Sequence, residues 1–96
     1  MKFEWDEDKN QSNIKKHGVS FEQACAIFDG FTLDFIDDRY DYGELREMSI
    51  GRVEQVIYLA VIHTDRDGVR RIISARQASK KERKHYEKEI QKTFDA

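Results

Sequence analysis

Lys16 and His17 stand side by side in the stretch "IKKHGVSFEQA" at residues 14–24, a fixed cation beside an imidazole that can give or take a proton near neutral pH. Two readings fit the pair. Lys16 can favour the end of a helix through its dipole while His17 caps open carbonyls, or the two can bind an anion and move a proton. Further along, Glu44 and Arg46 lie two residues apart and His63 ends an apolar run. Arg71 and Arg76 bracket the stretch "IISA". Imidazole, guanidinium and carboxylate together are the groups of acid–base and phosphate chemistry. The three histidines are scattered rather than spaced as metal ligands, and the lone Cys25 can form neither an internal disulfide nor a thiolate zinc site. No metal or other cofactor is expected.

The elements that must position these groups read from hydrophobic period and capping. "KFEW" at 2–5 alternates like a short strand. Asp6 can cap a first helix that Gly18 ends, with Ile14 its main apolar anchor and Asn10, Asn13 and His17 recurring along one side. Ser20 and Gln23 match a capping box for a second helix, where Phe21, Ala24, Cys25 and Phe28 form a buried stripe. Cys25 on that stripe is expected to be inert.

Four segments rich in β-branched and aromatic residues follow at 31–37, 44–51, 55–64 and 69–76. The third is apolar on both faces and belongs in the middle of a sheet. Gly51-Arg52 and Asp67-Gly68 are expected turns between consecutive strands, which favours antiparallel hairpins. A last helix begins at Ser79, with Glu82 as its capping partner, and carries Tyr86, Ile90 and Phe94 at four-residue spacing. The order β-α-α-β-β-β-β-α describes a compact α+β domain, an antiparallel sheet flanked by helices, and 96 residues are enough for one such domain spanning 1–96.

Charge is distributed unevenly. Residues 1–47 carry six Lys and Arg against twelve Asp and Glu, whereas residues 66–88 carry nine against three, within a formal net charge of -2. A basic end suggests that a polyanion or an acidic partner meets the C-terminal part, although a solvated helix face fits the same charge run. No apolar run approaches the roughly 20 residues of a membrane span, and "MKFEWDEDK" is too acidic for a signal peptide, so a soluble cytoplasmic protein is expected.

"FEWD" at 3–6, Lys9, Asn13, "KHGVSFEQA" at 16–24, Phe28, Glu44 with Arg46, Gly51, "HT" at 63–64, "RIISAR" at 71–76 and "ERKHYE" at 82–87 together resemble the BrnT family of bacterial ribonuclease toxins. The resemblance implies a RelE-like fold and endoribonuclease activity that arrests translation. It also implies neutralisation by a BrnA-type antitoxin, with operator DNA bound only through the toxin–antitoxin complex.

Metal-free RNA cleavage needs a base for the 2′-hydroxyl, positive charge at the phosphorus transition state and an acid for the departing 5′-oxygen. Under that resemblance Lys16 holds phosphate or developing charge and His17 serves as acid or base. His63 is an acid–base candidate, with a partly buried, hydrogen-bonded histidine as the alternative. Arg76, at a strand end, is the choice for the scissile phosphate. Arg71, five residues earlier, would face the other way under perfect alternation and would contact RNA backbone or pair with a carboxylate. Glu44 and Arg46 share a face and are weaker candidates, a surface ion pair being the alternative. Tyr86 is a secondary candidate because a tyrosine near the C-terminus contributes in RelE-like enzymes. Lys80, Lys81, Arg83 and Lys84 oppose the last helix's dipole and suit RNA or an acidic antitoxin surface. A non-catalytic module that binds antitoxin or nucleic acid is the competing function.

Overall fold

The capping residues act where the sequence places them. In the computed structural model, which describes residues 1–94, Asp6 accepts from the amides of Asp8 and Lys9 and starts α1 (Glu7–His17). Gly18 ends that helix in the left-handed region at φ 71°. Ser20 and Gln23 form the reciprocal capping box of α2 (Phe21–Cys25), which tightens into one 3-10 turn at Ala26–Asp29. Ser79 and Glu82 exchange the same pair of bonds before α3 (Lys80–Phe94). The last two residues of the expected 1–96 domain lie outside the described residues.

Five strands, β1 (Lys2–Glu4), β2 (Leu33–Ile36), β3 (Glu47–Val53), β4 (Ile57–Arg66) and β5 (Val69–Gln77), form one sheet in the order β1-β5-β4-β3-β2. The doubly apolar β4 is central, as its pattern requires. Three pairings are antiparallel, but β1 runs parallel to β5, so the sheet is mixed rather than wholly antiparallel. The reason lies in α1. Lys2 pairs with Val69 at the start of β5, and Asn13 bonds Ala75 near its end, so chain leaving β1 must advance along β5 in β5's own direction.

Asp67-Gly68 makes the expected turn, both residues having positive φ. The other expected turn is displaced. Gly51-Arg52 lies inside β3, and the reversal falls at Glu54 and Gln55, with φ of 54° and 67°. Gly51 is required by packing instead: a Cβ there would sit 2.7 Å from Cβ of Ile27 on the 3-10 turn. Gly51→Ala is therefore expected to lower stability by about 1–3 kcal/mol in urea denaturation, as overpacking does.

Helices cover both faces of the sheet. On one, Val19, Phe21, Ala24 and Ile27 pack on Leu59, Val61, Ile72 and Ala75. On the other, Tyr86 and Ile90 of α3 pack on Ile50 and Ala60 with Phe31, Leu33 and Phe35. The expected anchor of α1 is corrected: Ile14 is 36% exposed, while Asn10 and Asn13 are buried. A helix this poor in apolar residues docks through hydrogen bonds, with Asn10 accepting from the amide of Phe21 and Asn13 bonding Val19 and Ala75.

Candidate active site

Beyond β1, the edge of β5 has no strand partner, and the Asn13 amide fills that place. Its Nδ2 donates to the Ala75 carbonyl at 2.7 Å and its Oδ1 accepts from the Ala75 amide at 3.2 Å. One helical turn later, His17 lies on the same side of α1 and reaches a groove of about 500 Å³. Ser74 and Arg76 of β5, Met48 of β3 and Glu82 of α3 line this groove, with Asp37 and Arg39 from the β2–β3 connection. A larger groove of about 880 Å³ runs beneath the C-terminal half of α3, between Phe31, Arg52, Tyr86 and Phe94. Its lining includes no histidine, so the smaller groove is the candidate for acid–base chemistry.

Arg76 is held from behind. Its Nη1 and Nη2 donate to Glu82 at 2.7 and 2.9 Å, and Nη1 also donates to the Gln77 carbonyl. The guanidinium beside Glu82 holds that carboxyl down to about 2, and the pairing raises Arg76 in turn. Nη2 also approaches Met48 Sδ at 3.9 Å, and Nε makes no hydrogen bond among the described residues, so Nε and the side of Nη2 shared with a weak thioether acceptor are what another anion could take. A β-bulge overturns the alternation expected for the two arginines. Ile62 pairs with Ser74 and His63 with Ile72, so Ile73 is an extra residue in β5. Arg71 opposite Thr64 and Arg76 opposite Ala60 consequently share a face, and Arg71 meets Glu4 at 3.6 Å.

The remaining candidates are dispersed. Lys16 is exposed on the last turn of α1. Glu44 pairs with Arg46 at 3.3 Å and also with Arg66, and Arg46 lies 3.9 Å over the Tyr42 ring, so this cluster stiffens the β2–β3 connection beside the groove. Tyr86 is core: its hydroxyl donates to the Phe31 carbonyl at 2.8 Å and burial pushes its pKa up. Lys80, Lys81, Arg83 and Lys84 are exposed on the first turns of α3, with Arg83 over the Tyr58 ring. Cys25 is half-buried, its thiol pushed up to about 11 by desolvation, which suits an inert role. His63 is 1% exposed and points to the opposite face of the sheet, where its Nε2 meets Ser49 Oγ at 2.7 Å.

Residues 5–82 match the family described as "Ribonuclease toxin, BrnT, of type II toxin-antitoxin system". The chain belongs to the BrnT family. It is similar to the Brucella abortus ribonuclease toxin BrnT, whose crystal structure at 1.1 Å shares 31% sequence identity and a TM-score of 0.62, covering 83% of this chain and 99% of that one. Among curated proteins none matches it significantly. A BrnT chain is a ribonuclease toxin of a toxin–antitoxin system, so an antitoxin is its implied partner. Among the described residues no helix is long and apolar enough to cross a membrane.

In this BrnT chain the polar row Asp34–Ser49–His63 is built into the sheet. Ser49 donates to Asp34 at 2.6 Å, because a carboxylate only accepts, and so takes the Nε2 proton of His63. Nδ1 is then unprotonated and buried without a partner among the described residues, with the Phe28 ring packed edge-on. Desolvation, with Arg70 adding to it, lowers His63 from 6.5 to about 4. The folded state therefore resists a proton that the unfolded chain accepts. Stability is full above about pH 6.5 and falls as the pH drops toward 4, by on the order of 3 kcal/mol. His63→Leu is expected to flatten this part of the urea-stability profile between pH 7 and 4, leaving only the carboxylate losses at lower pH.

Asp37, Arg39 and Ser74 were not among the sequence candidates. One signal for Asp37 was available: it continues the alternation of Leu33 and Phe35, which places a carboxylate at an inward position that calls for a cation.

Proposed function

We propose that this chain is a metal-independent endoribonuclease that cleaves RNA in the His17–Arg76 groove and so inhibits translation. The observation that carries the reading is that one imidazole and one anchored guanidinium line the same groove, in a chain of a ribonuclease family. The reaction takes the proton of the 2′-hydroxyl, forms the 2′-oxygen–phosphorus bond, breaks the bond to the 5′-oxygen and returns a proton to it. His17 supplies one of the two proton transfers, and Arg76 stabilises charge on the non-bridging oxygens.

Lys16, Arg71 and the Lys80, Lys81, Arg83 and Lys84 group at the start of α3 contact RNA backbone. Glu44 and Arg46 hold the β2–β3 connection, and His63 and Tyr86 act through packing. A BrnA-type antitoxin neutralises the chain in the cytoplasm, and operator DNA is bound only by the complex of the two. Among the described residues no group of three or more His, Cys, Asp and Glu side chains is placed to hold a metal ion.

The test is incubation of the antitoxin-free full chain with labelled RNA in excess chelator, beside His17→Ala. Cleavage that survives chelation and falls in a folded His17→Ala variant is the expected result. Tight RNA binding without turnover, with or without added metal or ribosomes, would favour the non-catalytic binding module instead.

A further inference from the structure

We propose that the groove holds two successive phosphates of an RNA strand, the second on Arg39, and that Asp37 is the positioning residue for Arg39. This rests on the ribonuclease reading. Asp37 has a side chain only 4% exposed and accepts from Arg39 Nε at 2.7 Å and Nη2 at 3.0 Å. Tyr42 donates to the same carboxylate at 3.2 Å, and the Asp37 amide donates to the Arg46 carbonyl at 2.8 Å, so the acid is fixed to the sheet end by its own backbone. The guanidinium it holds is 66% exposed, and its Nη1 makes no hydrogen bond among the described residues.

Arg39 and Arg76 line one groove and are close enough for each charge to oppose the other. Each is gripped by its own carboxylate, Asp37 or Glu82, and keeps one donor nitrogen, Nη1 of Arg39 and Nε of Arg76, without a bond among the described residues. An exposed arginine loses side-chain entropy when it is held this way, and two held cations in one groove repel. A ligand with two anionic groups relieves both costs, because the guanidiniums are already held in place with a donor nitrogen each to spare. Asp37, Asp38 and Glu82 against Arg39 and Arg76 give the groove lining a formal charge of -1, so recognition depends on directed N–H donors and not on bulk attraction. A strand that places its scissile phosphate at Arg76 and His17 presents the neighbouring phosphate to Arg39.

The experiment compares RNA dinucleotides, which have one internucleotide phosphate, with trinucleotides extended on either side. In the wild type one trinucleotide series is expected to have a KM about tenfold below the dinucleotide, the effect of one charge-assisted contact. Arg39→Ala removes that advantage, Arg39→Lys restores part of it, and Asp37→Asn weakens it in the wild type but adds nothing to Arg39→Ala. An Arg39→Ala enzyme that keeps the full length-dependent advantage would overturn the proposal. The contact is read separately from cleavage by affinity for trinucleotides made uncleavable with 2′-deoxy sugars. There Arg39→Ala should weaken binding about tenfold and reduce the salt slope by about one. Unchanged affinity and slope overturn the second phosphate site, whereas failure of the wild type to cleave any RNA overturns the ribonuclease reading.

Discussion

Arg76→Ala lowers kcat/KM for RNA cleavage by about 10²–10³-fold, the range seen when a preorganised donor to a transition-state oxygen is removed. The magnitude follows from how Arg76 is held. Glu82 fixes Nη1 and Nη2 of a guanidinium that lines the groove, so little reorganisation is needed as charge develops. Arg76→Lys should recover only a small part, because an ammonium cannot reproduce a fork of two parallel donors. Glu82→Gln separates holding from binding: glutamine retains the capping box with Ser79 but loosens Arg76. An intermediate loss, mainly in kcat, is expected there. Steady-state kinetics on a labelled RNA, with circular dichroism to verify folding, measures all three variants, and an Arg76→Ala enzyme within threefold of wild type would remove Arg76 from the chemistry.

Asn13→Ala costs about 3–5 kcal/mol of stability, the largest effect expected from a single polar side chain in this fold. Its amide makes three bonds, to the Val19 carbonyl at 2.8 Å and to the Ala75 carbonyl and amide. Truncation leaves those buried backbone groups without partners, each costing about 1–3 kcal/mol, and alanine's better helix propensity recovers only a few tenths. Ile14→Ala provides the contrast, since its side chain is largely outside the core and should cost under about 1 kcal/mol. Urea denaturation of both decides the matter, and a larger loss for Ile14→Ala would mean that α1 docks through apolar contact after all. Asn13→Ala should also depress cleavage at temperatures where the variant is still folded, because the same amide sets the position of His17 one turn away.

Caps, strand number and the central place of β4 were legible because they depend on neighbours in the chain: a serine three residues before a glutamine or glutamate, a glycine after a helix, an apolar run without alternation. The family was legible in "KHGVSFE" and "RIISAR" for the same reason. His17 and Arg76 stood out as residue types, but the bond network that distinguishes them from His63 could not be read from spacing. His63 and Ser49 are fourteen residues apart and meet only across the β3–β4 pairing.

The sequence by itself determined the elements, their caps, the α+β class and the family. The tertiary structure alone decided which candidates share a groove, because that depends on long-range register. One extra residue at Ile73 turns Arg71 and Arg76 to the same face, and one amide at Asn13 brings His17 over the edge of β5. Burial likewise separated two histidines of the same type, since desolvation is set by what packs around a side chain and not by its neighbours in sequence.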